Sequence, residues 1–162
     1  MNPNLTSART IADIISEELE LMTALVQLLK NEEQILIDNL PEKLALLVTD
    51  KNSLLMQIIS LEKNRNELLT QSGFGTDAEG MSSYLASLSE QKNVESNWQK
   101  LLDLSATAKE NNRTNGILIN RQMTRNQSTL NILQQNDQSA AVYGADGQSR
   151  INANSGRGIV AG

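Results

Sequence analysis

Two long stretches in the first half of the chain repeat apolar residues at the spacing of an α-helix, and this pattern constrains the fold most. In the first stretch, apolar residues recur at steps of three or four, which places them on one face of a helix. The face consists of Ile11, Ile15, Leu19, Met22, Leu25, Leu29 and Leu36, with Glu32 or Glu33 in the one gap. Ile14, Leu21, Val26, Leu28 and Ile35 widen the face. We therefore expect this helix to contact more than one neighbour.

The first helix is predicted over about residues 6–38. Thr10 is followed three residues later by Asp13, an arrangement that resembles a capping box. Thr6 and Ser7 are alternative starting points, because both residue types also cap helices.

A second helix is predicted over residues 41–72. Pro41 suits the first turn of a helix and disfavours helical geometry at the residue before it. Gly73 is well placed to end the helix in a left-handed conformation. Because the connection between the two helices is so short, they must run antiparallel as a helical hairpin.

Charged residues interrupt both apolar faces, at Glu32 or Glu33 in the first helix and at Lys51 in the second. One interpretation is a buried carboxylate pair or metal site, since helical bundles can hold di-iron centres. Those centres use Glu-x-x-His motifs, and this chain has no histidine. An ion pair across the hairpin, or long side chains whose charged groups reach water, is therefore favoured.

Composition argues against most catalytic chemistry. Without cysteine or histidine, the chain lacks the commonest nucleophile–base pairs, zinc ligands and general base. We therefore expect no enzyme activity, no catalytic residues, no cofactor and no metal. Aromatic residues are only 2% of the chain, so the core must be almost wholly aliphatic.

The chain carries no signal-peptide pattern and no apolar run near the length of a membrane span, so a cytoplasmic protein without stable membrane insertion is expected. Residues 1–90 contain 14 acidic and 6 basic side chains, whereas residues 91–162 contain 5 acidic and 8 basic ones. The basic residues of the second part form no cluster. Neither a nucleic acid nor a small-molecule substrate is therefore expected as a partner.

The second half is predicted to contain a short helix at about 80–90 and a long helix at about 93–136. The glycine-containing segment 73–80 matches no phosphate-binding motif and is interpreted as a connector, with Phe74 packed on the end of the hairpin. Trp98 is interpreted as a core anchor. Beyond Leu104 the apolar face becomes sparse, and seven asparagines lie between Asn111 and Asn136.

Asparagine is a poor helix former, so this composition favours a helix that keeps an apolar face available to a partner. Gly116 lies inside the predicted helix, where it either admits the close approach of another helix or acts as a flexible joint. Residues 138–162 have little that can pack and are predicted to be a disordered tail. The predicted fold is all-α: an elongated bundle with a helical hairpin and a long C-terminal helix, in a single domain over residues 1–137.

Two motifs in this half resemble the FlgN family of flagellar export chaperones. The first is the Asn-x-x-Asn-Gly-x-Leu-Ile block from Asn112 to Ile119, which Leu130-x-x-Leu133 follows. The second is the Tyr-Gly-x-x-Gly-Gln ending from Tyr143 to Gln148. The order and separation of the two motifs make the resemblance specific, whereas a helical hairpin alone is common. The extension beyond Gln148 departs from shorter members of the family.

The resemblance implies a cytoplasmic, non-catalytic chaperone. Proteins of this family bind the hook–filament junction proteins FlgK and FlgL and deliver them to the flagellar type III secretion apparatus, including the export-gate protein FlhA. Transferred to this sequence, the client-binding residues are Asn112, Asn115, Gly116, Leu118, Ile119, Met123, Leu130 and Leu133. The residues expected to dock at the export gate are Tyr143, Gly144 and Gly147. The alternative is a structural coiled-coil protein that assembles with itself, because the first two helices have near-heptad spacing.

Overall fold

The computed structural model of the protein describes residues 9–88 and 92–142. Within these residues every regular element is a helix, which confirms the predicted all-α fold. The helices are α1 (Ile11–Ile37), α2 (Pro41–Gln71), α3 (Ala78–Ser87) and α4 (Lys92–Val142). The chain divides into two compact units, Met1–Ile119 and Asn120–Gly162.

The capping box at the start of α1 is confirmed. The Asp13 backbone N–H donates to the Thr10 hydroxyl at 3.2 Å, and the Thr10 backbone N–H donates to the Asp13 carboxylate at 3.0 Å. Because Thr10 itself has an extended backbone, α1 begins at Ile11 and not near residue 6 as predicted.

The predicted hairpin of α1 and α2 is confirmed, with three residues, 38–40, between the helices. Asn39 makes the reversal in a left-handed conformation with φ 55°, which asparagine tolerates better than most residues. Pro41 occupies the first turn of α2. After the other end of α2, Gly73 has φ 82°, the left-handed cap that the sequence predicted.

The first unit is held together by an apolar cluster to which all four helices contribute. Trp98 is buried in it, as predicted, and Phe74 packs against it from the connector. The Phe74 ring meets Tyr84 edge-on, with 5.3 Å between ring centroids. The buried members are Ile11, Ile15, Leu69, Met81, Leu85, Trp98 and Leu101. A second cluster further along the hairpin joins Leu25, Val26 and Leu29 to Ala108.

The first turn of α3 needs glycine at one position, Gly80, where the connector backbone passes close by. A Cβ atom at Gly80 would lie 2.0 Å from the Gly75 carbonyl oxygen, so no larger residue fits there. The Gly80 N–H also donates to the Asp77 carboxylate at 2.8 Å, which caps α3. The helix therefore begins at Ala78, before the predicted start near residue 80.

Helix α4 continues to Val142, beyond its predicted end at residue 136, so the first residues of the predicted tail are helical. The rest of that tail, residues 143–162, lies outside the described residues. A Cβ atom at Gly116 would meet nothing within 4 Å. The interpretation that Gly116 admits a closely packed helix is therefore wrong, and its role as a flexible joint stays a prediction.

Helix α2 keeps much of its apolar surface exposed. Among the described residues it is the one helix that is long and apolar enough to pass as a membrane span by length and composition, and 6% of that stretch is buried. This differs from the expectation that no apolar stretch approaches that length. Asp50 and Lys51 lie within the helix. A single helix of this kind is weak support for a membrane span, but its exposed apolar side chains have a bearing on binding.

Candidate functional site

A buried polar network joins three helices of the first unit. Both oxygens of the Glu32 carboxylate in α1 accept from the Lys51 ammonium group in α2, at 2.9 and 3.1 Å. The Asn115 side-chain amide in α4 donates to the same carboxylate at 2.7 Å and to the Leu29 carbonyl oxygen at 2.9 Å. The predicted ion pair across the hairpin is therefore confirmed, with Glu32 and not Glu33 as its acid.

Asn115 differs from its expected role. Only 1% of its surface is exposed, and its amide is bound to α1, so in this structure it stabilises the bundle and is not available to a client. The sequence contained a usable signal, because Glu32, Lys51 and Asn115 each interrupt an apolar face of a different helix. When polar residues interrupt the apolar faces of neighbouring helices, they can be buried together if they satisfy one another's hydrogen bonds.

A second buried pair lies in the same unit, further from the turn between α1 and α2 than Glu32 and Lys51. The Arg65 guanidinium donates from one nitrogen to both oxygens of Glu18, at 2.8 and 3.0 Å. The guanidinium carbon also lies 4.9 Å from the centre of the Trp98 ring, within the range of a cation–π contact. Arg65 therefore links α1, α2 and α4, a role that the sequence did not reveal.

Burial of Glu18 raises the pKa of its carboxyl group to about 7, and the nearby Glu62 carboxylate acts in the same direction. The Arg65 guanidinium opposes this increase but does not cancel it. The folded protein therefore holds this proton up to about pH 7, whereas the unfolded chain releases it near the usual pKa of 4.5.

We expect the Glu18 contribution to the free energy of unfolding to increase as the pH falls from about 7 to 4.5, because the folded state binds more protons in that range. Urea denaturation of the protein and of a Glu18→Gln variant at pH 7.5, 6 and 5 measures this. The variant should lose the increase, since its amide does not titrate in this range. An identical pH dependence in both proteins would contradict the assignment to Glu18.

Exposed apolar side chains follow the helix in the second unit. Met123, Leu130 and Leu133 are 64%, 52% and 56% exposed. At about 100° per residue these three lie within one quarter of the helix circumference. We call Met123, Leu130 and Leu133 the distal stripe. Ile132 is equally exposed, at 58%, but lies about 140° around the helix from the middle of the stripe.

The remaining predicted client-binding residues lie in the first unit. Asn112 is exposed, whereas Gly116, Leu118 and Ile119 are each partly buried. The residues predicted to dock at the export gate, Tyr143, Gly144 and Gly147, lie outside the described residues. The structure thus separates the predicted set into the buried Asn115, three partly buried residues, and the exposed Asn112 and distal stripe.

The chemistry available in the described part of the chain is that of a binding surface. Over residues 9–88 and 92–142, no group of three or more acidic side chains is placed to hold a metal ion. The Glu32 carboxylate is already occupied by Lys51 and Asn115. Asn126, Asn131 and Gln134 lie beside the distal stripe in sequence and can donate and accept hydrogen bonds, and the exposed Arg121 and Arg125 flank Met123.

Comparison with known proteins identifies the family. The model of the FlgN protein family matches residues 1–151. The flagella synthesis protein FlgN of Proteus mirabilis is 32% identical over 155 residues, which are 96% of this chain and 90% of that protein. A crystal structure at 1.48 Å resolution, of a protein from Pseudomonas aeruginosa described as a flagella synthesis protein FlgN, superposes with a TM-score of 0.64. It is 26% identical, and the match covers 82% of this chain and 99% of that one. The chain therefore belongs to the FlgN family and has a role in flagellum assembly.

Proposed function

We propose that the protein is a cytoplasmic, non-catalytic export chaperone that binds the hook–filament junction proteins FlgK and FlgL through the distal stripe. The observation that carries this proposal is the exposure of Met123, Leu130 and Leu133 on one helical face. Soluble proteins rarely leave aligned large apolar side chains uncovered without a partner. Membership of a flagella synthesis family supports partners among the flagellar proteins.

The stripe suits an amphipathic client segment. Leu130 and Leu133 are three residues apart and Met123 is seven residues before Leu130, which is the anchor spacing of helix–helix recognition. Covering a leucine or methionine side chain completely contributes about 1.5–3 kcal/mol. Three partly exposed anchors therefore give a reversible contact, as a protein that must later release its client requires.

We further propose that Tyr143, Gly144 and Gly147 contact the export-gate protein FlhA. Support for this assignment comes from the Tyr-Gly-x-x-Gly-Gln motif that the chain shares with the FlgN family. Because these residues follow the distal stripe in sequence, gate contact and client contact should be separable by truncation.

Two truncations test the proposal. A chain ending at Ile119 should fail to bind purified FlgK and FlgL in calorimetric titrations, because it lacks the distal stripe but keeps the clusters and polar networks of the first unit. A chain ending at Val142 should bind both clients with unchanged affinity and lose binding to FlhA. Circular dichroism verifies that both truncated chains stay helical.

Undiminished client affinity in the chain ending at Ile119 would refute the assignment of the stripe. A stable oligomer of the full chain in sedimentation equilibrium, with no client binding, would instead favour the self-assembling coiled-coil protein.

A further inference from the structure

Helix α2 has an apolar surface that the rest of its unit does not cover. Only three of its 31 residues are buried, Leu61, Arg65 and Leu69, whereas ten of the 27 residues of α1 are buried. The exposed large apolar residues of α2 are Leu46, Val48, Leu55, Met56 and Ile59. An apolar helix that is poorly buried within its own unit is characteristic of a binding surface.

Part of this surface forms one wall of a groove. Two adjoining cavities of about 250 and 230 Å³ lie among α1, α2 and the α4 residues of the first unit. They are continuous, because Met22, Ile58 and Ser105 line both. Leu55 on one wall and Leu102 on the other are each 37% exposed. We call this feature the α2–α4 groove.

The groove is long enough to hold several turns of a helix. Ile15 packs in one cluster with Trp98, and Leu29 bonds to Asn115, so α1 and this part of α4 run parallel. Helix α2 runs antiparallel to them, so the groove lies along three roughly aligned helices, as in a helical bundle. From Lys51 to Arg65 its α2 wall extends about 21 Å, at 1.5 Å per residue.

Charged residues at the two ends of the groove indicate the charges that a bound partner would carry. Lys109 on α4 lies at one end, and Glu62 on α2 lies at the other. Both side chains are exposed, so they can meet opposite charges on a partner. The Glu62 carboxylate also lies 3.8 Å from the Arg65 guanidinium, and more than half of the Glu62 side chain stays open to solvent.

We propose that the α2–α4 groove binds an amphipathic helix of about 15 residues from a protein partner. The bound helix turns aliphatic residues toward Leu55 and Leu102, an acidic residue toward Lys109 and a basic residue toward Glu62. This surface is separate from the distal stripe and does not depend on the proposed client binding.

A designed peptide tests the groove in the full-length protein. The probe is a synthetic helix of 16 residues without tryptophan, with leucines on one face, lysines in one half and glutamates in the other. Trp98 is the only tryptophan of the chain and lines the groove, so its emission reports occupancy. Peptide binding should shift this emission and increase the helical circular dichroism signal.

Two aspartate substitutions in α2 provide a matched comparison. Leu55→Asp should weaken peptide binding at least tenfold, because it places a carboxylate within the apolar wall. Leu46→Asp should leave binding unchanged, since Leu46 is nine residues away and thus on the opposite face of α2. Leu46 is 74% exposed and Leu55 is 37% exposed, so we expect both variants to fold.

Charge exchange tests the polarity of the groove. Lys109→Glu should weaken binding of the probe and strengthen binding of a second peptide whose glutamates are all replaced by lysine. Equal effects of Leu55→Asp and Leu46→Asp would overturn the proposal. It would also be overturned if the protein bound no peptide while Leu55→Asp abolished either a homodimer in sedimentation velocity or binding to anionic phospholipid vesicles.

Discussion

Replacing Leu130 and Leu133 together by aspartate should abolish binding of FlgK and FlgL, with at least a hundredfold loss of affinity. Each substitution removes an apolar anchor worth about 1.5–3 kcal/mol when covered, and each would place a carboxylate against the apolar face of the client. A loss of 2.8 kcal/mol corresponds to about a hundredfold change in the dissociation constant. Isothermal titration calorimetry with each purified client measures the effect.

A substitution at Ile132, on the same helix, provides the control for the double variant. This residue is as exposed as Leu130 and Leu133, at 58% against 52% and 56%, but it points about 160° away from Leu130 and about 100° away from Leu133. Ile132→Asp has the same chemical change and a similar cost in helix propensity, so it should leave client affinity within about twofold. If Ile132→Asp weakened binding as much as the double variant, the client would not be bound by one face of the helix.

The hairpin could be predicted from the sequence because its signals are local. The Thr10–Asp13 box, Pro41 and Gly73 act on their immediate neighbours, and periodic apolar residues indicate which face is buried. The burial of Trp98 could also be predicted, because a tryptophan on the apolar face of a helix usually packs into the core. The start of α1 and the end of α4 were less accurate, since several residues near each end are compatible with helix.

The assignment of Asn115 required tertiary information. An asparagine on a sparse apolar face is compatible with exposure to a partner and with a buried hydrogen-bond network, and its local sequence does not distinguish the two. Asn115 is buried because Glu32 and Lys51 lie beside it on the two other helices. Their proximity depends on the relative position of α1, α2 and α4. For the same reason the exposure of α2 was not foreseen, because its spacing predicts an apolar face but not what covers that face.

Glu32→Ala should lower the free energy of unfolding by about 3 kcal/mol, because it removes an acceptor from the buried Asn115 amide and from the partly buried Lys51 ammonium group. The Lys51 ammonium group would lose both of its bonds to the carboxylate, and the Asn115 amide would keep only the Leu29 carbonyl oxygen. Urea denaturation followed by circular dichroism measures the change. Glu33→Ala is the matched control, since Glu33 is the adjacent acid outside the network, and it should change stability by less than about 0.5 kcal/mol.

A double-mutant cycle with Asn115→Ala separates the network from the effect of deleting a side chain. Because Glu32 and Asn115 share a direct bond of 2.7 Å, the two substitutions should be less than additive, with a coupling of about 0.5–3 kcal/mol. Additive losses would mean that each residue acts through packing alone. Both variants should retain client affinity if the distal stripe binds the clients, since neither residue is part of it. A parallel loss of stability and client binding would instead make the polar network part of the binding site.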